Sequence, residues 1–431
     1  MSTPRFDVVV IGAGSSGSAA ALHCARRGLE VLCIDRRPLE RAGARWVNGI
    51  PAWIFKAAQL SQPRRPELLG EPSPMHMVAG YGPERIVVEN HDLLEIDMRC
   101  LVRRLQREGS ASGVRFMGEV DVNGFDGEVL ETSMGEIHAC WVVDASGLGG
   151  AGLIELPRIE REDICAAAQE VRRIDDRKRA QQFFADHGVP WGQTLCFTGI
   201  AGGYSVLNLK GSAENLHILT GSIPGLGHRS GLGLLREFLS QNDWVGEQIF
   251  GGACPIPLRR PFDQLGQGRV AVVGDAACQV FSAHGSGVGA GLLAARELAE
   301  ALSRGEGVLG YTLRWHRRYG GLFASYDLFR RFSSALSVHQ VARMMNSGLL
   351  DGEVAAVGLS QRAPSPRSLG RLRGRALTQT PDLLIAMGSV VARMAMASLI
   401  YRQYPRNVSR HPAWSRRVAA LFEMDSDQSP G

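Results

Sequence analysis

The 431-residue chain is poor in lysine, with 3 lysines against 45 arginines. Genome base composition accounts for that ratio before chemistry does. Net charge is only +5, which gives no footprint for nucleic-acid binding. The eight cysteines are scattered. They form no C-x-x-C and no metal spacing, so neither a metal site nor a disulfide framework is expected. Scattered reduced cysteines suit a cytoplasmic protein. No uninterrupted 18-residue apolar run occurs, so no transmembrane helix is expected. The first strand starts within about six residues of the N-terminus, which leaves no room for a signal peptide. There is no internal repeat and no low-complexity segment. What remains is an ordinary globular composition, 45% hydrophobic and 21% charged, long enough for roughly two or three domains.

The organising stretch is Asp7 to Asp35, DVVVIGAGSSGSAAALHCARRGLEVLCID. Val8 to Ile11 is a short apolar run, as expected of a strand buried on both faces. Gly12, Gly14 and Gly17 follow as G-x-G-x-x-G. The first glycine permits a tight turn, the second leaves room for a pyrophosphate, and the third lets a helix pack close to the strand. Ser16 lies inside this loop. The helix start offers free N–H groups to phosphates, and Gly28 is placed to end the helix. A second strand, Val31 to Ile34, stops at Asp35, about 20 residues past the glycines, where an acid can accept both hydroxyls of an adenosine ribose. That acid disfavours a 2′-phosphate. NAD or FAD is therefore expected, and NADP is not.

Two further small-residue turns follow strands. Ile137 to Val143 ends at Asp144 in VVDASGLGG. Val270 to Val273 ends at Gly274 and Asp275, ahead of a glycine-rich loop and a helix from about Gly287. Between them, residues 155–250 carry short strands (Cys165 to Val171, Gln193 to Ile200, Tyr204 to Leu209, His217 to Ser222) and a helix over Leu232 to Asn242. They read as a mostly antiparallel sheet forming one wall of a substrate pocket.

Together the G-x-G-x-x-G with Asp35, a helix beginning near Arg99, and the Gly274-Asp275 loop resemble the FAD enzymes of the p-hydroxybenzoate hydroxylase-like superfamily. That superfamily includes aromatic hydroxylases, geranylgeranyl-type reductases and flavin-dependent halogenases. The resemblance spans roughly residues 6–305. It implies non-covalent FAD, with Gly12, Gly14, Ser16 and Gly17 at the pyrophosphate and Asp35 at the ribose. It places Arg36 and Arg99 near phosphates and Val120 at adenine through its backbone. Asp144, Gly274 and Asp275 would lie along the ribityl-pyrophosphate region, with Gly287 and Val288 near the flavin pyrimidine ring. The DASGLGG turn resembles the halogenase version. GYSVLNLK from Gly203 to Lys210 and GGACPIPL near Gly251 resemble the reductases.

Catalytic candidates are His284, Tyr204, Asn48 and Trp46. His284 reads as a proton donor, a covalent flavin attachment point or a polar contact to the ring, or else as a loop histidine bonded to backbone. Trp46 reads as a wall beside the flavin or a hydrophobic plug. Tyr204 lines the pocket or simply packs. The implied architecture is α/β: a Rossmann-like FAD-binding domain (1–75, 92–154, 262–310), an inserted mostly antiparallel substrate domain (76–91, 155–261), a C-terminal helical region (311–424) and a disordered tail (425–431).

The expected activity is FAD-dependent oxidation–reduction of a hydrophobic or aromatic small molecule, carrier-bound or free. Monooxygenation through a C4a-hydroperoxide stands first. Reduction or dehydrogenation without oxygen insertion is the alternative, and a non-catalytic flavin-binding partner protein is a third. No second dinucleotide fingerprint exists, so electrons would come from transiently bound NAD(P)H or a separate flavin reductase. From Gln361 to Arg417, eleven arginines face one acid, Asp382. That region reads as a solvated basic face, or as a dock for an acidic carrier protein, an anionic lipid surface or a diphosphate-bearing substrate. The apolar segment Pro381 to Tyr401 reads as a core or pocket-capping helix rather than a membrane-surface one.

Overall fold

The computed structural model describes residues 4–363 and 376–423. The expected tail, 425–431, lies outside the described residues, as do four of the arginines in the basic region.

The first sheet contains β1 (Arg5–Ile11), β2 (Val31–Ile34), β8 (Arg115–Met117), β9 (Val122–Phe125), β10 (Val129–Thr132), β11 (Gly135–Asp144), β17 (Gly266–Gln267) and β18 (Val270–Val272). Its main path runs β17-β18-β11-β1-β2-β8. The pairs from β18 to β8 are parallel, while β9, β10 and β17 join antiparallel. The unbroken apolar run of β1 has a direct cause. Val8 and Val10 face a core shared with helices α1 (Ser15–Ala25), α3 (Met98–Ala111) and α6 (Val288–Ser303). Val9 and Ile11 face the opposite side, against Val120, Leu130 and Ile137 of the meander. Both faces are dry, so every position is apolar. In α3, Leu101, Val102 and Leu105 are buried as their helical spacing requires.

The second sheet contains β5 (Met75–Ala79), β6 (Arg85–Val88), β12 (Ile164–Ile174), β13 (Thr194–Thr198), β14 (Ser205–Gly211), β15 (Asn215–Ser222) and β16 (Val245–Pro257), in the order β16-β12-β15-β14-β13-β5-β6. Only β13 and β5 run parallel. Leu207, Leu209, Leu216 and Ile218 point to its outer face, which packs on α4 (Arg177–Asp186) and α5 (Gly231–Gln241). Alternate residues of the same strands face inward. A small third sheet, β3 (Val47–Pro51), β7 (Leu93–Asp97) and β4 (Leu68–Gly70), covers part of that inner face. It is followed at β3 by the short helix α2 (Ala52–Ala57).

The longest strand, β16, has no clear sequence pattern, because Gly251 and Gly252 break its alternation. The glycine is required there. Gly251 has φ +153°, and a Cβ would sit 2.2 Å from the Gln169 carbonyl oxygen.

The C-terminal region is helical: α7 (Gly307–Trp315), α8 (Gly321–Ser334), α9 (Val338–Ser347), α10 (Gly352–Leu359), then Ala376–Gln379, Pro381–Arg402 and His411–Glu423. A buried ion network fastens α8 to the entry of β12. Arg330 donates to Asp163 at 2.6 Å and to Asp327 at 2.8 Å, and Asp327 also accepts from the Arg260 backbone N–H at 2.7 Å. Replacing Arg330 with methionine removes the closest cation of Asp327, which has no exposure, and leaves it the Arg260 N–H and the Arg331 guanidinium at 3.4 Å. Urea unfolding should show a loss of about 3 kcal/mol or more, with part regained when Asp327 becomes leucine as well.

The segment expected to form a core or capping helix is only half buried. In Pro381–Arg402, Leu383, Met387, Val390, Met394, Ala397 and Tyr401 face inward. Ile385, Met396 and Leu399 face out at 75%, 48% and 52% exposure. By length and composition this helix is apolar enough to cross a membrane, with 39% of its apolar window buried inside the protein.

Candidate functional site

The first glycine loop is held by backbone contact. Gly12 has φ +99°, and a Cβ there would lie 2.5 Å from the Ala145 carbonyl oxygen. Gly17 is tighter still, with a Cβ position 1.8 Å from the Gly12 oxygen. Gly14 is the N-cap of α1, and no side chain caps the helix. Its first N–H groups and the positive end of its dipole are thus open to an anion. Asp35 closes the far side, its carboxylate accepting from the Ala13 N–H at 2.8 Å and the Arg37 N–H at 2.9 Å. Each carboxylate oxygen keeps capacity for a ribose hydroxyl.

The third loop abuts the first through Ser16. Its hydroxyl lies 2.7 Å from a Cβ position on Gly274 and 2.0 Å from one on Gly291. A side chain at either glycine would have to displace the Ser16 hydroxyl from the seam between the two loops. A Cβ on Gly287 would come 2.7 Å from Asp275 Oδ1. Among the described residues, no group hydrogen-bonds the Asp275 carboxylate, and burial pushes it from 3.8 up to about 6. The flavin-free folded state therefore keeps a proton that the unfolded chain has released. Its stability falls as pH rises from about 4 to 6 and stays low above. Asp275→Asn should raise the melting temperature of flavin-free protein at pH 7.5 by no more than the equivalent of about 3 kcal/mol. The gain should vanish below pH 4, and the same variant should bind FAD more weakly.

Sixteen buried side-chain polar atoms have no hydrogen-bond partner among the described residues. Three of them, Ser282 Oγ, His284 Nε2 and Ser286 Oγ, fall together on this loop. Gln361 Nε2 belongs to a side chain that meets α6 beside Gly289, and Trp46 Nε1 is another of the set. Native interiors leave few such atoms unpaired, and three on one loop leave polar groups there for a ligand or water to meet. Burial lowers the pKa of His284 to about 4, so its imidazole is neutral at physiological pH. Its ring leans on Phe281, with centroids 4.9 Å apart. Tyr204 reaches in from the other sheet, its hydroxyl 3.2 Å from a Cβ position on Gly285. Burial holds that phenol well above its ordinary pKa. An open helix start, glycines with no room for side chains, a ribose acid and unpaired polar groups together fit a flavin dinucleotide.

The structure spends several expected ligands elsewhere. Arg99 is committed to Asp97, with Nη2 2.7 Å from Oδ2, and its guanidinium stacks 3.6 Å over the Phe250 ring. That differs from a side chain free to reach phosphates. Asp144 accepts from the Ser146 N–H and hydroxyl and from the Ala151 N–H. It holds its own loop shut rather than offering a free carboxylate. Val120 is buried, and its N–H donates to the Asp35 carbonyl oxygen at 3.0 Å. Arg36 is exposed beside Asp35. Val288 starts α6 directly after Gly287. Asn48 sits on β3 opposite Ile96.

Two contributors have no sequence signal. Gln106 of α3 donates to the Ala13 and Leu39 carbonyl oxygens, bracing the loop and the segment after β2. Gln361 comes from the C-terminal region and meets α6 beside Gly289.

A cleft of about 140 Å³ opens between the inner face of the second sheet and the small third sheet. Val47, Met75, Leu93 and Leu219 line it, with Glu95, Asn208, Lys210 and His217 among its polar groups. Lys210 pairs with Glu95 and donates to Ser73 at 3.0 Å. Tyr204 and Lys210 stand at opposite ends of one strand register, about 20 Å apart at the usual rise per residue.

Comparison with known proteins agrees with this geometry. The family model for FAD dependent oxidoreductases matches residues 7–65. The digeranylgeranylglycerophospholipid reductase of Sulfolobus acidocaldarius is 24% identical, over 96% of this chain and 96% of that one. A geranylgeranyl bacteriochlorophyll reductase-like protein from Thermoplasma acidophilum superposes with a TM-score of 0.69 at 16% identity, over 90% of this chain and all of that one. The myxobacterial chondrochloren halogenase superposes at 0.61 and 16% identity, over 97% of each. The two superpositions reflect a common fold.

Proposed function

We propose that this chain, an FAD-dependent oxidoreductase of the p-hydroxybenzoate hydroxylase-like superfamily, reduces carbon–carbon double bonds in the isoprenoid chains of a lipid. The observation that carries this reading is end-to-end similarity to a digeranylgeranylglycerophospholipid reductase. It reverses the order expected from the sequence, where oxygen insertion stood first. The halogenase likeness carries fold alone.

FAD, when bound, supplies the electron pair as a hydride. The chain's own part is to hold the cofactor, exclude water and deliver a proton. Gly12, Gly14 and Gly17 with the start of α1 would hold the pyrophosphate, and Asp35 the ribose. Asp275, Ser286 and Gly287 would meet the flavin end. Saturating one double bond needs a hydride on one carbon and a proton on the other. Tyr204 stands beside the Gly285 loop and would give the proton. Burial makes its phenol a weaker acid than usual, so it would act on the carbon left electron-rich by hydride addition, a far stronger base than a phenolate. Solvent then reprotonates Tyr204. The inner face of the second sheet, at whose near end Tyr204 meets the Gly285 loop, would form the wall along which an isoprenoid chain lies. Electrons would reach the flavin from transiently bound NAD(P)H or a separate reductase.

The test is product mass. A geranylgeranyl glycerophospholipid incubated with the reduced enzyme should gain two hydrogens per double bond consumed. A gain of one oxygen atom would replace this reading with monooxygenation.

A further inference from the structure

The helix Pro381–Arg402 presents two opposite faces to different surroundings. Its inner face packs on α8: Ser325 donates to the Met394 carbonyl oxygen at 2.8 Å, and a Cβ on Gly321 would lie 2.9 Å from Ser398 Cα. Its outer face carries Ile385, Gly388, Ala392, Met396 and Leu399. These positions recur every three or four residues and so form one stripe, about 21 Å long at helical rise. Scattered apolar residues on a surface need no explanation, but three large ones, Ile385, Met396 and Leu399, aligned on one helix face with only glycine and alanine between them do.

The surroundings of the stripe say what covers it. From residue 383 to 422 there are six arginines and no Asp or Glu. Arg402, Arg406 and Arg410 are exposed at the end of the stripe, with Val408, 56% exposed, between the last two. None of these three is ion-paired among the described residues. An apolar stripe ending in unpaired arginines is complementary to acyl chains below anionic headgroups. Spanning is excluded by the packing, because the inner face is committed to α8 and to Trp414.

We infer that the outer face of Pro381–Arg402, with Arg402, Arg406 and Arg410, seats the enzyme on an anionic membrane surface without crossing it. The inference deepens the proposed function and rests on that reading for its purpose: a substrate held in a bilayer must be met there. The geometry of the stripe stands apart from it.

The test uses FAD-loaded full-length protein and flotation with vesicles of phosphatidylcholine, with and without phosphatidylglycerol. Wild type should float with the anionic vesicles, release in high salt and stay behind with neutral ones. The triple variant Ile385→Ser, Met396→Ser, Leu399→Ser should bind at least about a hundredfold more weakly. Arg402→Glu, Arg406→Glu, Arg410→Glu should lose binding to a similar degree. All changed positions are exposed, so flavin absorbance and melting temperature should hold. Activity on detergent-dispersed lipid is read in parallel. Vesicle binding without lipid reduction sinks the function and leaves the dock. Lipid reduction without vesicle binding sinks the dock and leaves the function. Flotation unchanged in either variant overturns the inference. So does a wild-type dimer that the serine variant splits, since a second copy would then cover the stripe.

Discussion

Gly17→Ala should yield a protein that cannot hold FAD and melts far below wild type. A single methyl group placed 1.8 Å from the Gly12 carbonyl oxygen and 3.2 Å from Ala145 Cβ has nowhere to go. The nearest atoms are backbone on one side and the neighbouring loop on the other, so relief requires α1 to move off β1. That shift would tilt the uncapped helix start away from the phosphates and part Ser16 from Gly274 and Gly291. A loss of about 4 kcal/mol or more is expected, at the upper end for one substitution. The purified variant should be colourless and should not regain flavin colour on incubation with FAD. Retained flavin at wild-type affinity would mean that the loop does not cradle the cofactor.

Tyr204→Phe should leave FAD binding intact and lower the turnover number about a hundred- to a thousandfold, the usual contribution of a positioned general acid. The ring and its packing stay, and only the hydroxyl beside the Gly285 loop goes. The loss should fall on kcat rather than on KM. His284→Gln is the comparison. Its imidazole is already neutral, with a pKa lowered to about 4, so this variant should not shift the pH profile near neutrality. Unchanged turnover in Tyr204→Phe would move the proton source to another group or to water.

The half of the site that binds the dinucleotide was legible because it is local. Strand, glycine turn, helix, strand and acid all fall within Asp7 to Asp35, and each needs a particular residue type at a particular spacing. The Gly274-Asp275 loop was legible for the same reason. The other half is assembled from afar. Trp46, Tyr204 and Gln361 come from three separate regions, and no spacing links them. The internal partners of Arg99 (Asp97 and Phe250) and of Asp144 (its own loop) were not legible from position. β16 was obscured by the glycines that its close approach to β12 demands. The helix Pro381–Arg402 read as buried because small residues dilute its periodicity. Alanine, glycine and serine occur on both faces, so the exposed Ile385, Met396 and Leu399 do not stand out as a separate stripe.

The most direct measurement is a single turnover without oxygen. Flavin in the purified protein is photoreduced in the absence of air and mixed with a geranylgeranyl glycerophospholipid. The account predicts that the oxidised flavin spectrum returns, with one equivalent of double bond saturated per flavin. Flavin that stays reduced with the lipid, and returns to its oxidised form only on mixing with oxygen while the lipid gains an oxygen atom, would contradict it.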